Sequence, residues 1–274
     1  MRLVSFDVFR TLGFPNISHL KPEHFFRYKE ELRSADWVLY PDYWQLNALH
    51  YGLKCRIFPS VPTYLIGHNK IEMTRAFESV APRHVPYTLI AANTPYHQND
   101  IWHNMNVPFV AKLPKASMGE GVWLIESHSD WVSYCSRTDV LYAQEYLSID
   151  RDLRIVIVGN TIVTAYWRRQ AKGRFHNNVS RGGFIEYSAV PPLAIELVKT
   201  VAGQLDINHA GFDVAVVDGY PYLIEFNRLF GNQGIQDRHG LQNAILEYLL
   251  TNGKPENPDN DHRDLPTPPL DQVI

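Results

Sequence analysis

Asp213, Glu225 and Asn227 are the side chains in this 274-residue sequence whose types and spacing most readily suggest chemistry. They lie in Gly211-Phe-Asp213-Val-Ala-Val-Val-Asp-Gly-Tyr-Pro-Tyr-Leu-Ile-Glu225-Phe-Asn227, two apolar runs joined by a turn. Glu225 and Asn227 stand two apart among strand formers, so their side chains project from one face while Phe226 points to the other. Two carboxylates and an amide on a rigid sheet suit Mg²⁺, a hard ion that takes a few protein oxygens and completes its shell with water and phosphate. A surface hairpin with incidental acids is the competing reading of this segment alone.

The strand register decides whether the three can act together. A two-residue Asp218-Gly219 turn, the usual reading of that dipeptide, would set Asp213 opposite Ile224 and turn it away from Glu225. A shared metal site therefore requires an odd register. A three-residue loop over 218–220 supplies one, and Pro221 directly after it is compatible with an irregular strand start.

A second chemical segment is Phe109-Val-Ala-Lys112-Leu-Pro-Lys115-Ala-Ser117-Met-Gly119-Glu-Gly121-Val-Trp-Leu. It reads as strand, small flexible loop, strand. Gly119 and Gly121 permit positive φ and close backbone approach, so the loop amides, with Ser117, could face a phosphate; a plain hairpin explains the glycines equally well. Lys112, between Ala111 and Leu113 on a buried strand, needs an anionic partner. Tyr142-Ala-Gln144-Glu145-Tyr146-Leu147 is an apolar strand end that could frame a base. Arg154, Arg168 and Arg181, with Asn178, supply donors for anionic oxygens, while Arg169 and Arg174 read as solvated surface.

The elements that must hold these residues are short strands alternating with helices. In the first 67 residues strands are expected over 2–6, 37–40 and 54–58, with helices from Pro22 through Leu32 and near 43–50, giving a small α/β unit. Asn69 caps a helix from Lys70 to about Val80. Strands near 87–91, 109–113 and 122–126 follow, with helices after Thr94-Pro95 and near 130–137. From Val140 strands dominate, 154–158 and 161–167 being joined at Gly159-Asn160. A helix over 192–205 precedes the acidic hairpin, a last one covers 241–250, and the segment from 253 on is rich in Pro and Asp and reads as a disordered tail. The expected division is 1–67, 68–145, 146–252 and 253–274.

Composition narrows the function. A net charge of −3 with 45% hydrophobic residues is that of an ordinary globular protein and offers no global basic field for nucleic acid. Cys55 and Cys135 match no metal or redox spacing. No apolar run approaches membrane-spanning length and no export signal is visible, so a cytosolic protein acting on small molecules, without nucleic acid or membrane partners, is expected.

Taken in order, Lys112-Leu-Pro, Ser117-Met-Gly-Glu-Gly-Val, Gln144-Glu-Tyr-Leu, Asp152-Leu-Arg154, Phe175-His-Asn-Asn178-Val-Ser-Arg181-Gly-Gly183, Gly211-Phe-Asp213 and Glu225-Phe-Asn227 resemble the ATP-grasp ligases of the RimK and glutathione-synthetase-like branch, over about residues 68 to 236. The resemblance implies an α/β (α+β) ATP-grasp fold, two α+β subdomains clamping ATP, preceded by a small α/β N-terminal domain. It implies nucleotide contacts from Lys70, Lys112, Ser117, Gly119, Gly121, Gln144, Glu145, Tyr146, Leu147 and Asp152. Two Mg²⁺ ions, with Mn²⁺ as an alternative, would be held by Asp213, Glu225 and Asn227. Arg154, Arg168, Asn178 and Arg181 would steady the transferred phosphoryl group. The implied reaction joins a carboxylate acceptor to an amine, such as an amino acid or glutamate, through an acyl phosphate, and leaves room for a homo-oligomer. The chain departs from the family where His176-Asn177-Asn178 replaces Arg-Ser-Asn, and where Asn227-Arg-Leu-Phe-Gly231 replaces Asn-x-Ser-Pro-Gly. Both changes lie on the substrate side.

Other classes compete. Asp7-Val-Phe-Arg-Thr11 resembles the nucleophile motif of haloacid-dehalogenase-type hydrolases, but position 9 is Phe where a phosphatase has its second Asp. A non-catalytic nucleotide binder would be marked by lost magnesium ligands, and all three are present. A kinase could use the same electrostatics.

Overall fold

The computed structural model describes residues 1–115, 121–169 and 184–253. The N-terminal unit is a parallel sheet of β1 (Leu3–Ser5), β2 (Ile17–His19), β3 (Trp37–Leu39) and β4 (Ile57–Phe58), in the order β2-β1-β3-β4. Strand β2, three residues long, was not among the expected elements. The single helix expected over 22–32 is instead a 3-10 segment, Pro22–Tyr28, followed by α1 (Lys29–Ser34). The stretch near 43–50 likewise splits into a 3-10 turn and a π turn. Helix α2 (Val61–Ile66) starts where Ser60 Oγ accepts the Thr63 amide, satisfying one of the donors a helix start leaves open.

Next come α3 (Lys70–Val80), β5 (Thr88–Ala92), α4 (Pro95–Asn104), β6 (Phe109–Lys112), β7 (Val122–Ile125), α5 (His128–Cys135) and β8 (Val140–Glu145). The four strands pair antiparallel in the order β5-β8-β6-β7. Caps define the helices between them: Asn69 accepts from Glu72 N at 2.9 Å, Thr94 caps α4 ahead of Pro95, and Ser127 with Asp130 forms a capping box for α5. Ile101, Phe109, Trp131 and Tyr134 fill this layer's core.

The third layer holds β9 (Arg151–Val158), β10 (Thr161–Arg169), β11 (Phe184–Glu186), α6 (Pro192–Gln204), β12 (His209–Val217), β13 (Tyr220–Asn227) and α7 (Arg238–Thr251). Its sheet runs β11-β10-β9-β12-β13, antiparallel throughout. Leu153, Ile155, Phe212, Val214 and Phe226 point to one face and pack with Val198 and Val201 of α6. Helix α3 adds Met73 and Phe77 to that same core, while Thr74 on its other side bonds Tyr142 OH on β8 at 2.7 Å. One helix therefore joins the four-stranded and five-stranded sheets. Helix α7 places Ile245 and Leu249 against Leu3, Trp37 and Phe58 of the N-terminal sheet. No helix among the described residues is long and apolar enough to cross a membrane.

Candidate active site

The site begins with alternation on β9. Leu153 and Ile155 enter the core, so Asp152 and Arg154 face the opposite side of the sheet. Register brings Arg154 opposite Asp213 on β12 and Asp152 opposite Arg168 on β10. The four side chains form one network: Arg168 donates to both Asp152 oxygens at 2.8 and 2.6 Å, approaches Asp213 Oδ2 at 3.0 Å, and Arg154 Nη2 donates to the same oxygen at 3.2 Å. Burial works against the Arg168 charge, yet Asp213 and Asp152 outweigh it and hold the guanidinium protonated above its ordinary range. Gly211 makes the geometry possible. A Cβ there would lie 2.8 Å from Arg154 Nη1 and 2.9 Å from Phe230 Cβ.

The hairpin reaches the odd register by a different route from the expected loop. Val217 pairs with Tyr220, so the turn is the two-residue Asp218-Gly219, both at positive φ, as a primed hairpin turn demands. A β-bulge then leaves Ile224 unpaired between the pairs Val214–Leu223 and Asp213–Glu225. The extra residue lets Leu223 and Phe226, three apart, both face the core. It also puts Asp213 and Glu225 side by side on the polar face, with Asn227 beyond them opposite Gly211. Asn227 Nδ2 donates to Glu225 Oε1 at 3.5 Å.

Glu225 and Asn227 line a cavity of about 250 Å³ together with His68, Lys70, Met73 and Lys115. Lys70 Nζ stands 3.9 Å from Glu225 Oε2. Its backbone amide donates to Pro114 O at 2.9 Å, tying the start of α3 to the segment after β6. The Leu113 amide, donating to Gly121 O at 2.7 Å, closes the base of that loop, and Gly121 sits at φ 71°.

Lys112 forms the facing wall. It is buried and donates to Gln144 Oε1 at 2.6 Å, while Gln144 Nε2 donates to Thr88 Oγ1 at 2.8 Å and Tyr142 OH at 3.3 Å. Its hydrogen-bond partner among the described residues is thus a neutral amide, held in turn by two hydroxyls. Burial pulls the Lys112 pKa down to about 8 against the attraction of Glu225, and the charge of Lys70 lowers it further. The Gln144 side chain, placed by the sequence at a base-framing strand end, is here the latch of that lysine. Glu145 Oε1 accepts the Tyr87 amide at 2.7 Å, and Tyr146 and Leu147 are half-buried just past β8. Asp152 faces Arg168 within the ion network. Ser117, Gly119, Asn178 and Arg181 lie outside the described residues.

Two cationic groups, Lys70 and Lys112, and the Arg154–Arg168 pair face three carboxylates, Asp152, Asp213 and Glu225. The balance leaves one positive charge in excess, suited to a polyanion accompanied by dications. The donor set fits Mg²⁺: three oxygen-bearing side chains share one face, and Asp213 Oδ1, although against Arg154 Nε, is buried without an aligned hydrogen bond among the described residues. The sequence does not single out His68, Thr74 or Thr88. His68 had a local signal, standing directly before Asn69-Lys70, whereas the others act through pairings between strands that sequence does not display.

The architecture is that of the ATP-grasp fold. D-alanine–D-alanine ligase from Bacillus anthracis superposes with a TM-score of 0.71 at 14% identity, covering 92% of this chain and 98% of that one. A RimK domain ATP-grasp protein from Sphaerobacter thermophilus gives 0.68 at 12% identity, over 91% and 100% of the two chains. The model of the RimK-like ATP-grasp domain matches residues 76–249, and the chain belongs to that family. Among curated relatives, a probable alpha-L-glutamate ligase of Legionella pneumophila (strain Corby) is 28% identical over 191 residues, 66% of this chain and 63% of its own length. One from Picosynechococcus is 31% identical over 156 residues, 54% of this chain and 52% of its own. The match thus spans somewhat less than two thirds of these relatives.

Proposed function

We propose that this chain is a cytosolic, Mg²⁺- and ATP-dependent carboxylate–amine ligase. The acceptor carboxylate attacks the γ-phosphorus of ATP, expelling ADP and forming an acyl phosphate. An amine then attacks the acyl carbon, the C–O bond to phosphate breaks, and the nitrogen loses its proton to give an amide and inorganic phosphate. Glutamate is the favoured amine, since relatives carry the name alpha-L-glutamate ligase. The observation that carries this reading is the juxtaposition of Lys70 with Glu225 and Asn227 around one cavity, next to the Arg154–Asp213–Arg168–Asp152 network.

Each group has a task set by its surroundings. Lys70 and Lys112 neutralise phosphate oxygens, and Lys112, bonded to a neutral amide, keeps its charge for the ligand. Arg154 and Arg168 stabilise the charge that develops on the transferred group and on the tetrahedral oxyanion, preorganised by their carboxylate partners. Asp213, Glu225 and Asn227 would hold Mg²⁺, which supplies charge neutralisation at the phosphates when bound. Gly121 and the loop it closes, with Glu145, Tyr146 and Leu147, would bound the nucleotide. No nucleophilic side chain is needed. Asp7, the residue of the hydrolase-like motif, accepts the Arg10 amide at 3.0 Å and pairs with its guanidinium at 3.3 Å, the work of a loop-ordering residue.

The test is to incubate the purified protein with Mg-ATP, L-glutamate and a panel of amino acids and small peptides, with hydroxylamine as a trapping amine. ADP, phosphate and a hydroxamate are expected with the correct acid. AMP and pyrophosphate, or a stable phosphorylated product with no hydroxamate, would overturn the ligase reading.

A further inference from the structure

Away from this site, the seam between the N-terminal unit and the five-stranded layer contains a cavity of about 850 Å³. It opens at the amino ends of β3 and β4, the edge opposite the strand ends where open α/β sheets bind their usual ligands. Its lining includes His50, Lys54 and Arg56 and contains no Asp or Glu. The Arg56 guanidinium lies 4.8 Å over the Trp37 ring. One of its amines, Nη1, is buried with no hydrogen-bond partner, and the group forms no salt bridge among the described residues. Nη1 is thus shut off from water without gaining an acceptor, an arrangement that favours a ligand bringing one.

The remaining walls are apolar or aromatic: Tyr51, Val61, Leu65 and Tyr248. The inner end is firmly built. Asn208 Oδ1 accepts the Ser60 amide at 2.7 Å, Asn208 Nδ2 donates to Tyr248 OH at 3.0 Å, and Trp37 Nε1 donates to Leu249 O at 3.0 Å. These bonds join three elements distant in sequence. The neighbouring cavity past Asn208 and Tyr248 is lined by Asp206 and Glu247, which disfavours an anion on that side.

From this geometry we infer a second ligand site, for a small organic anion whose acid group meets Arg56 and Lys54 and whose apolar body lies along Tyr51, Val61 and Leu65. The inference stands apart from the ligase reading, because none of these residues belongs to the nucleotide or metal set. A bound ligand would bridge the N-terminal unit to β12 and α7.

The probes are 2-naphthoate and its neutral analogue 2-naphthamide, titrated calorimetrically into the full chain with Mg-AMPPNP saturating the nucleotide site. Naphthoate is expected to bind at least tenfold more tightly than the amide. That preference should fall about tenfold or more in Arg56→Gln, and several-fold in Lys54→Gln, an exposed change that spares folding. Equal binding of acid and amide, no binding of either, displacement of naphthoate by AMPPNP, or an unchanged preference in Lys54→Gln would overturn the assignment.

Discussion

The two walls of the candidate active site hold their charges in opposite ways. On the five-stranded sheet, Arg154 and Arg168 are locked to Asp152 and Asp213 by charge-assisted hydrogen bonds. On the four-stranded sheet Lys112 is equally buried, but it is held by Gln144, which Thr88 and Tyr142 support, with no carboxylate in hydrogen-bonding contact among the described residues. The first wall is internally neutralised and rigid, and the second carries a charge that its surroundings disfavour. A site that must grip a polyanion needs both: an ordered frame that does not collapse when empty, and a cation whose compensation arrives with the ligand.

The largest effect that could break this contrast is on stability. Arg168→Ala leaves Asp152 and Asp213 buried with half their compensation, and urea unfolding should show a loss on the order of 3–5 kcal/mol. A loss under about 1 kcal/mol would mean that the network is loosely solvated. Glu225→Gln should behave differently, because Glu225 lies at the cavity rim outside the arginine network. Mg-dependent ADP formation should fall about 100-fold or more, with stability changed by less than about 1 kcal/mol.

Lys112→Met sharpens the comparison from the other wall. Nucleotide affinity should drop about tenfold or more, while stability at pH 7 stays level or rises by up to about 2 kcal/mol, since a disfavoured buried charge is removed. The pH dependence follows from the same shift. With its folded pKa depressed to about 8 from 10.5, the lysine destabilises the fold below pH 8, and that cost is relieved as the pH rises from about 8 toward 10.5. Nucleotide affinity should move the opposite way, weakening above pH 8 as the proton is lost, and Lys112→Met should flatten that limb. The smallest effect belongs to the turn: Gly219→Ala, at φ 81°, should cost about 1 kcal/mol and leave Mg²⁺ dependence intact.

How much of this was legible in the sequence depends on the range of the signal. The shared face of Glu225 and Asn227 follows from period-two alternation, and the Asn69, Thr94 and Pro95 helix starts are local chemistry. The odd register of Asp213 and Glu225 was required but its device was not readable. Tyr-Leu-Ile is uniformly apolar, so nothing marks Ile224 as the residue to be bulged out, and the Asp-Gly turn kept its ordinary two-residue form. The role of Gln144 depends on β6 and β8 pairing so that Val110 faces Gln144, a long-range register without a local trace. The Arg56 cavity is further removed still, assembled from β3, α2, Asn208 and α7.

The measurement that tests the central claim most directly is a calorimetric titration of AMPPNP with and without Mg²⁺ into the wild-type protein, Glu225→Gln and Lys112→Gln. If carboxylates on one wall hold metal and a lysine on the other holds phosphate, Mg²⁺ should tighten wild-type binding at least tenfold. That gain should be lost in Glu225→Gln, whereas Lys112→Gln should weaken binding with and without metal alike. An equal Mg²⁺ gain in all three proteins would contradict the account.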